Sequence, residues 1–199
     1  MYEIPKELRV EGQSWAIRNG GDFRMVLDCF IVLNDPELQA TERMLATLII
    51  FYEKFSDVED IFQLPESTQE ALIDAMFNFF NCGEKVSPGI QTPYKLVDWE
   101  QDAQMICAAV NTVAQKEIRS EPYMHWWTFM GYYMSVGEST LSTVLGIRSK
   151  IIKGKKLEKH EQEFRRSNPQ YFVWNKDSVN KQESDQLARD LWNSGKGVD

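Results

Sequence analysis

Cysteine is scarce in this 199-residue chain: Cys29, Cys82 and Cys107 form an odd set with no Cys-x-x-Cys pair. Such a set builds neither a disulfide scaffold nor a thiolate zinc site. Cys29 and Cys107 fall in apolar, helix-like stretches where a free thiol packs as a small hydrophobe, which points to a reducing compartment. Histidine is scarcer still, with His125 and His160 the only two, and neither has the His-x-x-x-His or Cys/His spacing of a zinc site. Also missing are a Gly-x-Gly-x-x-Gly run, a glycine loop ending in Lys-Ser/Thr and a Gly-x-Ser-x-Gly elbow. These absences argue against nucleotide-binding folds and serine hydrolases. The longest strongly apolar stretch, 126–136, falls well short of the roughly 18 residues a membrane-spanning helix needs. The first ten residues carry Glu3, Pro5, Lys6, Glu7 and Arg9 rather than a basic segment and an apolar run, so no signal peptide is read there. Internal repeats and low-complexity tracts are absent too, which excludes a solenoid.

What is present suits a globular protein. The chain is 43% hydrophobic, 12% aromatic and 26% charged, and at this length it buries roughly 70% of its unfolded surface without help from a metal or a disulfide. Its net charge of −8 is unevenly spread. Residues 148–166 contain eight Lys/Arg against Glu158, Glu161 and Glu163, so this segment is +5 and the remainder −13. An acidic body is a poor match for a phosphate backbone, because nucleic-acid affinity is built largely from neutralised phosphates. The basic segment suits an acidic protein partner, or docking onto the chain's own acidic body.

Punctuation and periodicity predict a mainly α fold: a compact domain of about six to seven helices with a short irregular or β-hairpin N-terminal arm and a polar C-terminal tail. The runs 8–10 and 14–17, parted by Gly12 and closed by Asn19-Gly20-Gly21, make the arm. Asp22 caps a helix over 23–33, and Asp35-Pro36-Glu37 precedes one over 38–55. A short turn spans 57–62. Pro65-Glu66-Ser67 then opens a helix to Phe80, with Ser67 and Glu70 spaced as a capping box. The loop 84–94 marks a possible seam within a domain covering 1–174. Helices follow over 98–118, from Pro122 through the aromatics 126–133, and over 139–153, with a charged continuation from Lys155 that Asn168-Pro169 stops. Residues 175–199 form the tail, with one short helix near 184–192.

Residues suited to chemistry have plainer explanations. Asn19-Gly20-Gly21-Asp22 reads as a turn and helix cap, and His125 as a helix-start or buried polar contact. Asp98 and Asp102, one helical turn apart, are first-turn acids favoured by the helix dipole. Asp57, Glu59 and Asp60 lack the alternating oxygen ligands and glycine of a calcium loop and read as a solvated turn. No metal, cofactor or catalytic residue is predicted. Adjacent helical positions point about 100° apart, so Trp126 and Trp127 are expected to divide between the core and a partner-facing surface. The candidate partner-binding residues are Trp126, Trp127, Arg148, Lys153, Lys155, Lys156 and Lys159.

Three stretches, in order, resemble the bacteriophage gene-product-fifteen family. They are Ile17-Arg18-Asn19 through Asp22-Phe23-Arg24 into Leu33-Asn34-Asp35; Val97-Asp98-Trp99-Glu100-Gln101-Asp102; and His125-Trp126-Trp127-x-Phe129 followed by Arg148. The resemblance spans most of residues 15–165, and the His-Trp-Trp-x-Phe run is its most specific part. It implies a protein without catalytic activity, encoded among tail genes. On that basis the expected role is a tail assembly chaperone in the host bacterial cytoplasm that holds the tape-measure protein or other tail proteins. The alternative is a structural component that stays in the virion. Self-association is a further possibility, and no nucleic-acid, membrane or small-molecule partner is expected.

Overall fold

The computed structural model describes residues 3–84 and 96–173. The expected seam, beyond residue 84 itself, and the tail with its helix at 184–192 lie outside these residues. The described chain is mainly helical, with a two-stranded hairpin at its start.

Strands β1 (Glu7–Val10) and β2 (Gln13–Ala16) pair antiparallel, with Val10 opposite Gln13. The two-residue turn between them has positive φ at both Glu11 and Gly12, the twist that matches paired strands. Trp15 and Val10 drive one face of the hairpin into the core, and β1 lies against α4. Helix α1 (Phe23–Leu33) begins where expected, its first turn capped by the Asp22 carboxylate accepting from the Arg24 N–H at 3.0 Å. Helix α2 (Ala40–Phe51) begins later than the proline signal suggested. Asp35 closes only a local turn onto the Glu37 N–H, and the helix starts from a Gln39/Glu42 capping box.

Helix α2 also ends before Phe55. Ile17 forms an isolated antiparallel bridge with Tyr52, so the chain turns extended at the helix end and carries Tyr52 and Phe55 into the core. The expected turn at 57–62 is a short helix, α3 (Val58–Phe62), with Asp57 and Asp60 capping each other's backbone. Helix α4 (Glu66–Phe80) follows Pro65 without the Ser67/Glu70 box, since its N-terminus has no side-chain cap. Helix α5 (Ala103–Ala114) is shorter than 98–118 and stops at left-handed Gln115.

Helix α6 (Trp126–Met134) starts four residues after Pro122. Phe23 donates to the Met124 carbonyl at 2.9 Å, and Asp22 accepts from the Met124 N–H at 2.9 Å. These bonds hold the segment before α6 extended across the start of α1. Helix α7 (Thr140–Ile152) is capped by Ser139, and α8 (Lys159–Ser167) follows a turn at Gly154.

Helix α1 packs on α2 and α6, and α5 packs on α6 and α7. One apolar cluster runs from Val10 in the hairpin to Val144 in α7, with aromatic rings at its centre. Phe23 stacks on Phe129 at 4.7 Å between centroids, and Trp126 on Phe129 at 5.6 Å. Such contacts add roughly 0.5–1.5 kcal/mol each beyond the area they bury. Among the described residues no helix is long and apolar enough to cross a membrane.

Candidate functional site

The residues singled out in the sequence separate into interior ties and an exposed basic elbow. Helix α4 ends with carbonyls that have no partner within the helix. The Trp126 indole N–H donates to the Phe80 carbonyl and the Trp127 indole N–H to the Phe79 carbonyl, both at 2.9 Å. The tryptophan pair thus caps one helix from another. Trp126 is 1% exposed, so it belongs to the core and drops out of the partner-facing set. Trp127 is half-buried over Gly83, where an added Cβ would lie 3.3 Å from the indole ring.

His125 caps α6. Its Nδ1 accepts from the Trp127 N–H at 3.0 Å, which fixes the proton on Nε2, 3.0 Å from the Pro5 carbonyl it donates to. Burial, the largest influence, pushes its pKa down, with Lys6 acting the same way, while the Pro5 hydrogen bond and Asp22 oppose them. Gly21 passes below this ring at φ +78°, and a Cβ there would stand 2.9 Å from Phe79 Cζ and 3.0 Å from His125 Nε2.

Two more ties use arginine against backbone. Arg18 donates to the carbonyls of Ile49, Ile50, Tyr52 and Phe55 at 2.8–3.2 Å, closing the C-terminal end of α2. Arg24 holds both Asp22 carboxylate oxygens and reaches the carbonyls of Ile118 and Glu121. Between these arginines lies an open cleft of about 720 Å³, floored by Ile49, Ile50 and Phe55. Its guanidinium groups are committed to backbone carbonyls and to the Asp22 carboxylate, and Asp28, whose carboxyl pKa burial raises, also lines it.

Arg148 was expected at the surface and is instead 1% exposed. It forms a forked ion pair with Asp102, at 2.5 and 2.9 Å, and also donates to the carbonyls of Leu96 and Tyr171. Asp102 accepts the Asp98 N–H as well, and Asp98 in turn caps the turn formed by Glu100 and Gln101. A buried arginine with a carboxylate and carbonyl acceptors is a structural clamp joining α5, α7 and the segment after α8. Sequence reading missed it because Asp102 and Arg148 lie 46 positions apart.

The lysines behave otherwise. Lys153, Lys155, Lys156 and Lys159 are exposed, as are Arg165 and Arg166. The four lysines flank the bend where Gly154, at φ +63°, ends α7 and the chain turns into α8, and the two arginines stand in the last turn of α8. The basic stretch is therefore an elbow of two helices instead of one helix with a charged continuation. Within the basic stretch Arg148 is paired with Asp102, and Lys150 is neutralised by Glu161 at 2.6 Å and Glu158 at 3.6 Å. That hydrogen bond is the main influence holding the Glu161 carboxyl below its ordinary range and raising Lys150 above its own. Among the described residues the other six cations make no ion pair.

Burial is the largest influence on all three thiols and raises the pKa of Cys29, Cys82 and Cys107. Among the described residues no three His, Cys, Asp or Glu side chains converge as a metal site.

All three stretches that carry the resemblance noted in the sequence coincide with interior ties: Arg18, Asp22 and Arg24; Asp98 and Asp102; and His125 through Phe129 with Arg148. They mark the fold, and none of them belongs to the lysine elbow. No curated protein and no solved structure matches the chain. The family described as Bacteriophage Gp15 protein matches residues 3–172. That span takes in every described tie, and the chain belongs to the Bacteriophage Gp15 protein family.

Proposed function

We propose that this phage protein acts without catalysis in tail assembly, as a chaperone that binds the tape-measure protein or another tail protein through its basic elbow. The observation that carries the reading is the elbow itself: six exposed cations without ion pairs among the described residues, on a chain of net charge −8. Solvated cations cost nothing to leave unpaired, but along the bend at Gly154 and the α8 that follows it, on an otherwise acidic protein, they steer association with an acidic surface. The half-buried Trp127 and the exposed Met134 at the end of α6 supply apolar surface of the kind that adapts to varied partners. The tail assignment itself comes from the family resemblance. The rival reading, a component retained in the finished particle, uses the same elbow for a permanent contact.

The test is affinity purification of the full chain from infected cells, followed by identification of the proteins that come with it, together with protein identification on purified particles. A chaperone co-purifies with the tape-measure protein before assembly and is missing from particles. Full-length chain at fixed copy number in clean particles would replace this reading with the structural one.

A further inference from the structure

The acidic residues are as unevenly placed as the basic ones. Residues 35–84, which form α2, α3 and α4, contain eleven Asp/Glu against Arg43 and Lys54, a balance of −9. Arg43 is buried and donates to the Leu38 carbonyl, and Lys54 lies 4.3 Å over the Trp15 ring. Glu53, Glu59, Glu66 and Asp74 are exposed, and among the described residues none of them makes an ion pair. The elbow at α7–α8 shows the converse. Its six exposed cations make no ion pair with the acids of α2–α4 in the same chain. One protein therefore carries exposed acids over residues 35–84 and exposed cations over α7–α8 that do not neutralise one another.

We propose that the basic elbow of one copy docks on the acidic surface of α2–α4 of a second copy, so that the chain associates head to tail. The proposal rests on reading the elbow as a protein-binding surface and names its occupant. Charge complementarity is the argument. The −9 excess of residues 35–84 and the elbow, +4 over residues 149–166 once the buried Arg148 is set aside, attract one another between copies whenever they are left unpaired within a copy. The segment from residue 174 onward carries four cations and five acids, so it is no comparable counterpart for the elbow. Contact between two different patches is heterologous, and repeated it gives rings or open chains instead of a closed twofold dimer.

Sedimentation velocity on the purified full-length chain, with no other phage protein present, reads this out across a concentration series at low salt and at about 1 M salt. The Debye length shrinks from roughly 10 Å at 0.1 M to 3 Å at 1 M, so wild type is expected to associate at low salt and to weaken roughly tenfold or more at high salt. One variant carries Lys153→Glu, Lys155→Glu, Lys156→Glu and Lys159→Glu, and a second carries Glu53→Lys, Glu59→Lys and Asp74→Lys. Each alone should stay monomeric. A chain with both sets swaps the two polarities and should associate again, as should a mixture of the two single-set variants. That regain separates lost contact from lost folding.

Three results would overturn the proposal: wild type that stays monomeric at low salt, association that survives either single set, and folded double-set chains that fail to regain it. Monomeric wild type that still captures tape-measure protein through the elbow would sink head-to-tail docking and leave the proposed function standing. Self-association without any such capture would do the opposite. Salt-sensitive binding of random duplex DNA by monomeric wild type would assign the elbow to nucleic acid and overturn both.

Discussion

At the scale of single residues, Trp126 and Arg148 hold this fold together, although both stood among the candidate partner-binding residues. Trp126→Ala removes a buried ring and the bond that caps α4, and should cost roughly 3–5 kcal/mol in thermal or denaturant melts. Trp127→Ala leaves a half-buried site and should cost less, on the order of 2 kcal/mol. Equal losses would place both rings in the core. Arg148→Ala strands Asp102 without its partner and should cost roughly 3–5 kcal/mol, whereas Asp102→Leu with Arg148→Met should recover much of it. A double variant no better than the single one would show that the clamp to Leu96 and Tyr171 matters more than the charge pair. His125 gives a pH signature. Its folded pKa lies below the ordinary value near 6.5, so its contribution is fully present above about pH 6.5 and is lost as the pH falls from there through the folded value. His125→Asn keeps a capping side chain without the titration, and its stability should decline less between pH 7 and 5; parallel curves would contradict the assignment.

At the scale of elements, local signals placed the helices and long-range bonds placed their ends. The Asp22 cap and the Ser139 start are written within a few residues, which is why the starts of α1 and α7 were legible. The end of α2 was not, because it is set by Arg18 and Ile17, more than thirty residues upstream. The same holds for α6, whose approach is held extended by Asp22, 102 positions before Met124. In the candidate site, the lysines were legible as exposed because they crowd together around Gly154 with few apolar residues between them. Arg148 was not, because its carboxylate lies on another helix. Two glycines test the turn chemistry. Gly12 and Gly21 both have positive φ, at +81° and +78°, yet a Cβ meets nothing within 4 Å at Gly12 and two side chains within 3.0 Å at Gly21. Gly12→Ala should cost about 1 kcal/mol of backbone strain, and Gly21→Ala roughly 1–3 kcal/mol more from the clash. Equal melting temperatures for the two variants would show that Phe79 and His125 shift aside freely.

At the scale of the whole molecule, one apolar core from hairpin to α7 leaves charge as the feature that varies across the surface. The interior ties account for the stretches that mark the family, and the elbow accounts for the proposed work. Reversal of its lysines should therefore leave melting temperature within a degree or two, since exposed charges contribute little to stability. The decisive measurement is titration calorimetry of purified tape-measure protein with the intact chain and with the chain carrying Lys153→Glu, Lys155→Glu, Lys156→Glu and Lys159→Glu. The expected result is saturable binding by the intact chain that weakens roughly tenfold or more with the reversed elbow or at high salt. Equal binding by both chains, or none by either, would contradict it.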